Sequence, residues 1–169
     1  MMKFLTVFLL LLPAWLCAAD DPDGRHYREA LVRSIKTADR IVVTEHSDRE
    51  DFPLPERERK NLPKYQYGRV VLSPAAKARF LKNTLDMDPA TQRYSTRCTF
   101  VPHHTIAFYS GSKLQSTMQI CFHCSEIRWT GSERTRPEDL WSAITPLIEE
   151  VGFKQQRDWE KLVRQRRKK

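Results

Sequence analysis

Cys98, His103, His104, Cys121, His123 and Cys124 fall within 27 consecutive residues, and their side chains are the ones that form disulfides, hold soft metals or exchange thiols. Three chemistries fit the types and spacing. A disulfide from Cys98 to Cys121 or Cys124 closes a loop of about 25 residues, which stabilises by ~3 kcal/mol when unstrained, and leaves one thiol over. A zinc site draws on Cys98, Cys121 and Cys124 with one of His103, His104 or His123 as fourth ligand, and an open coordination position there would activate water for hydrolysis. One Cys-x-x-Cys pair is compatible with zinc without being diagnostic of it. Redox exchange at Cys121 and Cys124 fits least, because such thiols sit at helix N-termini, whereas residues 114–122 read as extended. A continuous strand holds residues three apart ~10 Å from one another, so any link between Cys121 and Cys124 requires a turn at Phe122-His123.

The elements that must position this cluster are legible in the apolar pattern. Thr105 to Ser110 and Leu114 to Phe122 are rich in Ile, Phe, Tyr, Thr and Met, and Gly111-Ser112-Lys113 between them has hairpin chemistry. Facing residues then have numbers summing to about 223 to 225. That sets His103 and His104 near the level of Cys121, and brings Cys98 toward Cys124. Glu126 to Thr130 adds a third strand. Upstream, Arg25 to Ala38 reads as a helix with Tyr27, Leu31, Ile35 and Ala38 on one face and Asp23 as cap, followed by a strand at Ile41 to Thr44. Residues 47–64 hold three prolines and ten charged groups and read as a solvated excursion, its acidic residues Asp48, Glu50 and Asp51 lacking calcium-loop spacing. Tyr67 to Leu72 is a strand. Ser73-Pro74 opens a helix whose buried stripe is expected at Phe80, Leu81, Thr84 and Leu85. Pro137 to Glu150 is an amphipathic helix kinked or divided at Pro146. The pattern predicts an α+β fold: an antiparallel sheet with a prominent hairpin at about 105–122 and helices packed on one face.

Both ends of the chain carry further signals. Lys3, the apolar run Phe4 to Leu12 and the small residues Cys17, Ala18 and Ala19 have the order of a cleavable secretory signal, residues 1–19. The run is nine residues long, against ~20 for a bilayer-spanning helix, and no later stretch is apolar enough to cross a membrane. The expected location is periplasmic or secreted, with lipid attachment at Cys17 as the alternative. At the other end, residues 154–169 form a basic, helical tail. Lys154, Arg157, Lys161, Arg164, Arg166, Arg167, Lys168 and Lys169 face only Asp158 and Glu160, a net +6. The chain carries +8 in all and Lys3 leaves with the signal, so the domain at 20–153 is close to neutral. Its partner is expected to be an anionic envelope component, a lipid headgroup or polysaccharide. Export argues against nucleic acid.

No Gly-x-Ser-x-Gly elbow, P-loop or Gly-x-Gly-x-x-Gly is present, which removes support for the familiar hydrolase and nucleotide sites. The run from Cys98 through Val101-Pro-His-His-Thr-Ile-Ala-Phe108 and on to Ile120-Cys-Phe-His-Cys124 resembles a set of uncharacterised bacterial exported proteins and lipoproteins. In these, a cysteine-bearing loop and an apolar hairpin lead into an Ile-Cys-Phe-x-Cys segment. The resemblance covers about 30 residues; it implies a bacterial envelope protein and carries over no catalytic residue. The expectation is a binding or structural module with disulfide-type cysteines and no cofactor, with a zinc protein or metal-dependent hydrolase as the alternative. Intact mass of the protein recovered from the exported fraction is expected to place its N-terminus at Asp20; a chain that keeps residues 1–19 overturns the signal reading.

Overall fold

The computed structural model describes residues 22–91 and 97–168, so the signal region, Cys17 and Lys169 lie outside it. Four helices and five strands follow in the order α1 (Pro22–Thr37), β1 (Arg40–His46), β2 (Gln66–Val71), α2 (Pro74–Asp86), β3 (His104–Ser110), β4 (Lys113–Cys121), β5 (Glu126–Trp129), α3 (Leu140–Glu150) and α4 (Trp159–Arg167). The strands make one antiparallel sheet in the order β2-β1-β3-β4-β5, an α+β arrangement.

Alternation along each strand decides which face is core. Ile41 and Val43, Ile106 and Phe108, Met118 and Ile120, and Ile127 and Trp129 point to one side and are buried. Against them pack Leu31 and Ile35 of α1, Ala76 and Phe80 of α2, and Ala143, Ile144, Leu147 and Ile148 of α3. The hairpin register agrees with the expected sum: His104 faces Ile120 and Ile106 faces Met118, and a bulge between Phe108 and Tyr109 brings Tyr109 opposite Leu114.

Local chemistry fixes the element ends. The Ser73 hydroxyl accepts from the Ala76 N–H at 3.1 Å with Pro74 in the first turn, as the sequence implies. Gly111 at the hairpin tip has φ +58°, the left-handed conformation a tight turn needs. Three sequence expectations shift. Leu85 is 50% exposed, because the buried face of α2 is set by Ala76, Phe80 and Thr84, and Thr84 satisfies its hydroxyl on the Phe80 carbonyl at 2.8 Å. Asp23 sits inside the first turn of α1, where it accepts from Thr135 at 3.2 Å. The third helix begins at Leu140, since 137–139 form a preceding turn, and it continues through Pro146.

The 47–64 excursion is tied at its neck. Ser47 N–H donates to the Tyr65 carbonyl and Tyr65 N–H to the Ser47 hydroxyl, each at 2.8 Å. Two 3-10 turns lie within it, Arg49–Asp51 and Glu56–Glu58.

Phe80 is 1% exposed at the junction of α2 with the sheet and α3. Phe80→Ala is expected to lower unfolding stability by about 3–5 kcal/mol, while Leu85→Ser changes it by no more than about 0.5, both read by urea denaturation.

Candidate functional site

The cysteine corner resolves into one bond and one thiol. The sulfurs of Cys98 and Cys124 lie 2.07 Å apart, a disulfide pairing across 26 residues, and Cys121 is free and fully buried at the end of β4. The required reversal of the chain is present: Ser125 N–H donates to the Phe122 carbonyl at 3.2 Å, and Ser125 itself takes a positive φ of 50°. Within this turn the Cys124 N–H points at the Cys121 sulfur, 3.4 Å away. The zinc set anticipated from Cys98, Cys121, Cys124 and a histidine is not assembled here. Two of its three sulfurs are bonded to each other and lack the thiolate form that binds metal, His123 is exposed, and His103 and His104 are engaged elsewhere. Among the described residues no group of three His, Cys, Asp or Glu side chains is arranged to hold a metal ion.

His103 and His104 belong instead to a buried patch that the sequence alone does not reveal. The core-facing alternation of β1 runs Ile41, Val43, Glu45, and that of β3 runs Phe108, Ile106, His104. Glu45 and His104 are register partners, 3% and 0% exposed, with Glu45 Oε1 and His104 Nε2 3.9 Å apart. The pair thus sits where an apolar layer would otherwise continue. Arg157 reaches in to donate to Glu45 Oε2 at 2.5 Å. Beside it, His103 Nε2 meets Asp51 Oδ1 at 2.8 Å. Asp51 was expected in a solvated acidic cluster, but it is buried, because Asp48 and Asp51 form a reciprocal cap on the 3-10 turn that aims it inward.

Covering this patch is the C-terminal segment. The Trp159 ring stacks on His103 with centroids 4.1 Å apart and planes within 4°, and meets His104 edge-on at 5.9 Å. Phe153 packs beside Gly68 of β2, where a Cβ atom would collide with its ring. Trp159 and Val163 are buried, Asp158 caps α4 by accepting from the Lys161 N–H at 2.9 Å, and Arg166 reaches the Gln66 carbonyl at 3.5 Å. The basic tail is therefore a docked strap whose helix starts at Trp159 instead of Lys154. Of the residues expected to bind anions, Arg157 is committed to Glu45 and Arg164 pairs with Glu160. Lys154, Lys161, Arg167 and Lys168 stay exposed.

Across the sheet, on the side away from the helices, residues including Thr44, His46, Lys64, Gln66, Thr105, Tyr109 and Thr117 line an open depression of about 320 Å³. His46 is oriented from both ring nitrogens. Nδ1–H donates to the Ser47 carbonyl at 3.0 Å, which leaves Nε2 to accept from the Thr105 hydroxyl at 2.8 Å.

Burial controls the titration here. Desolvation, followed by the Lys64 charge, lowers the His46 pKa to about 3 against the pull of the Ser47 carbonyl. Desolvation, followed by His103, lowers that of His104 to about 4, with Arg157 acting the same way and the Lys154 carbonyl opposing. Desolvation, aided by Asp51, raises the Tyr67 phenol to about 12.

Comparison of the chain with protein-family models, curated proteins and solved structures found no match.

A histidine whose folded pKa is depressed binds its proton more tightly when unfolded, so its contribution is intact above the unfolded value near 6.5 and is lost as pH falls toward the folded value. Urea midpoints are expected to drop steadily from pH 6.5 to pH 4.5. Each of His46 and His104 accounts for up to ~1.4 kcal/mol per pH unit, and His46→Gln with His104→Gln flattens that slope. An unchanged slope in the double variant rejects the assignment.

Proposed function

We propose that this chain is an exported bacterial envelope protein, a disulfide-stapled binding module that attaches to an anionic envelope surface through α4. The observation that carries the reading is the anchoring of that helix. Trp159 and Val163 are fixed in the domain, so Lys161, Arg167 and Lys168, with Lys154 just ahead, project from a rigid element. A cation on a fixed helix loses less freedom on meeting a phosphate than one on a frayed tail. The positions are also favourable to the helix itself, since Arg164, Arg166 and Arg167 lie in its last turn, where the dipole is negative.

Two further facts support the compartment and the class. A disulfide at Cys98 and Cys124 suits an oxidising environment. No helix among the described residues is long and apolar enough to cross a membrane. The phosphate of a lipid headgroup is the favoured ligand chemistry, because the outward groups of α4 are the ammonium and guanidinium ends of Lys161, Arg164, Arg167 and Lys168.

Sedimentation with vesicles is the test. The mature protein is expected to bind vesicles of phosphatidylglycerol in phosphatidylcholine, to leave phosphatidylcholine vesicles unbound, and to release as salt rises. Replacing Lys161, Arg164, Arg167 and Lys168 together by Glu is expected to weaken binding by about a hundredfold or more, at ~1 kcal/mol for each cation near the surface. Binding that ignores both salt and these substitutions overturns the proposal. Retention by an acidic polysaccharide with no vesicle binding would transfer the same helix to a different surface.

A further inference from the structure

The strap over the sheet edge is poorly matched to the polar groups it buries. Five side-chain atoms at this contact have no protein partner in full hydrogen-bond geometry: Glu45 Oε1, both ring nitrogens of His104, Trp159 Nε1 and the Tyr67 hydroxyl. The Lys154 carbonyl lies close enough to the His104 ring to raise its pKa, so that ring is the least orphaned of these groups. The groups come from β1, β3, β2 and the strap itself, so the mismatch belongs to the contact as a whole. Buried polar atoms left unpaired each weigh against the closed state, and every one of them regains water when the strap lifts. What opposes opening is also identifiable: the Arg157–Glu45 ion pair, the Trp159 stack on His103, and the seating of Phe153 at Gly68.

The lifted strap has a use. Its inner edge, Trp159, Leu162 and Val163, is flanked by Lys161, Arg164, Arg167 and Lys168, an apolar stripe with an aromatic residue between cations. That composition lies stably in the headgroup layer of an anionic bilayer, with the apolar edge below the phosphates and the cations among them.

We propose that residues 153–168 are a membrane-exchangeable latch: the edge that docks on Glu45, His103 and His104 in the closed protein undocks and inserts into the anionic bilayer surface. This rests on the attachment proposed above and adds a regulated second stage to it. Surface charge brings the closed protein to the bilayer, and exchange of the Trp159 edge from protein to lipid holds it there. The bilayer holds the open form more tightly than the closed one, so a change that eases opening tightens attachment, up to the difference between the two affinities. The open form also leaves Glu45, Asp51, His103 and His104 uncovered while the protein is on the membrane.

Two substitutions beneath the strap, neither of which alters a cation of α4, separate this from simple adsorption. Glu45→Gln removes the buried partner of Arg157 and is expected to tighten partitioning onto phosphatidylglycerol vesicles by roughly threefold to tenfold, with faster hydrogen exchange over residues 159–167 in the absence of lipid. Tyr67→Phe removes an unpaired buried hydroxyl and is expected to do the reverse on both readouts. If either variant shifts exchange without shifting partitioning, or if both leave partitioning unchanged, the latch is overturned. Should Glu45→Gln fail to fold by circular dichroism, Tyr67→Phe decides alone, and unchanged or tighter binding in it refutes the proposal. Loss of binding in the four-cation variant together with no effect of these two would leave surface attachment standing and remove only the latch.

Discussion

The pairing of β1 with β3 at the centre of the sheet is the constraint from which the remaining structure follows. Antiparallel register aligns Ile41 with Phe108, Val43 with Ile106 and Glu45 with His104, all on one face. Two of these levels are apolar and are covered by the three helices that pack on that face. The third is ionisable. Helices that bury valine and phenylalanine are the wrong cover for a glutamate beside an imidazole, and the chain supplies a separate one, with a guanidinium for the carboxylate and an indole for the rings. The C-terminal strap exists in this position because the core changes character one step before the strands end.

The same register governs the cysteine corner. With His104 opposite Ile120, β4 ends at Cys121 and the chain must turn to enter β5, which brings Cys124 back toward the segment leading into β3. Cys98 lies on that segment. The disulfide therefore joins the approach to β3 with the exit from β4, and closes the open end of the hairpin that Gly111 closes at the other. Cys121, its sulfur 3.4 Å from the Cys124 N–H, is left as a buried thiol.

Patterns of short range were readable from the residues. Strand alternation, the hydroxyl and proline at the head of α2, the glycine turn and the hairpin sum all express geometry within a few positions, and each reappears in the structure. The need for a turn between Cys121 and Cys124 was likewise a matter of strand rise. What escaped depends on contacts between distant segments. Asp51 looks like any acid in a charged loop until its cap turns it toward His103, 52 positions away. Glu45 is hidden by its charge, although its place two residues after Val43 was a usable signal. Leu85 follows the helical spacing of a buried residue and is nonetheless outside, since the neighbour that would cover it lies elsewhere. The tail's apolar edge could be seen, but not the patch of β1, β2 and β3 that receives it.

The tied neck of the 47–64 excursion separates two kinds of change. Above the Ser47–Tyr65 pair of hydrogen bonds, the exposed tip at 55–58 has no role in the sheet, so chain added or cut there need not disturb the β1–β2 ladder. Nearer the neck, the turn bearing Asp51 is part of the strap's seat. The excursion thus offers a place where new sequence is accommodated at the tip while its base remains under the same structural demands as the core.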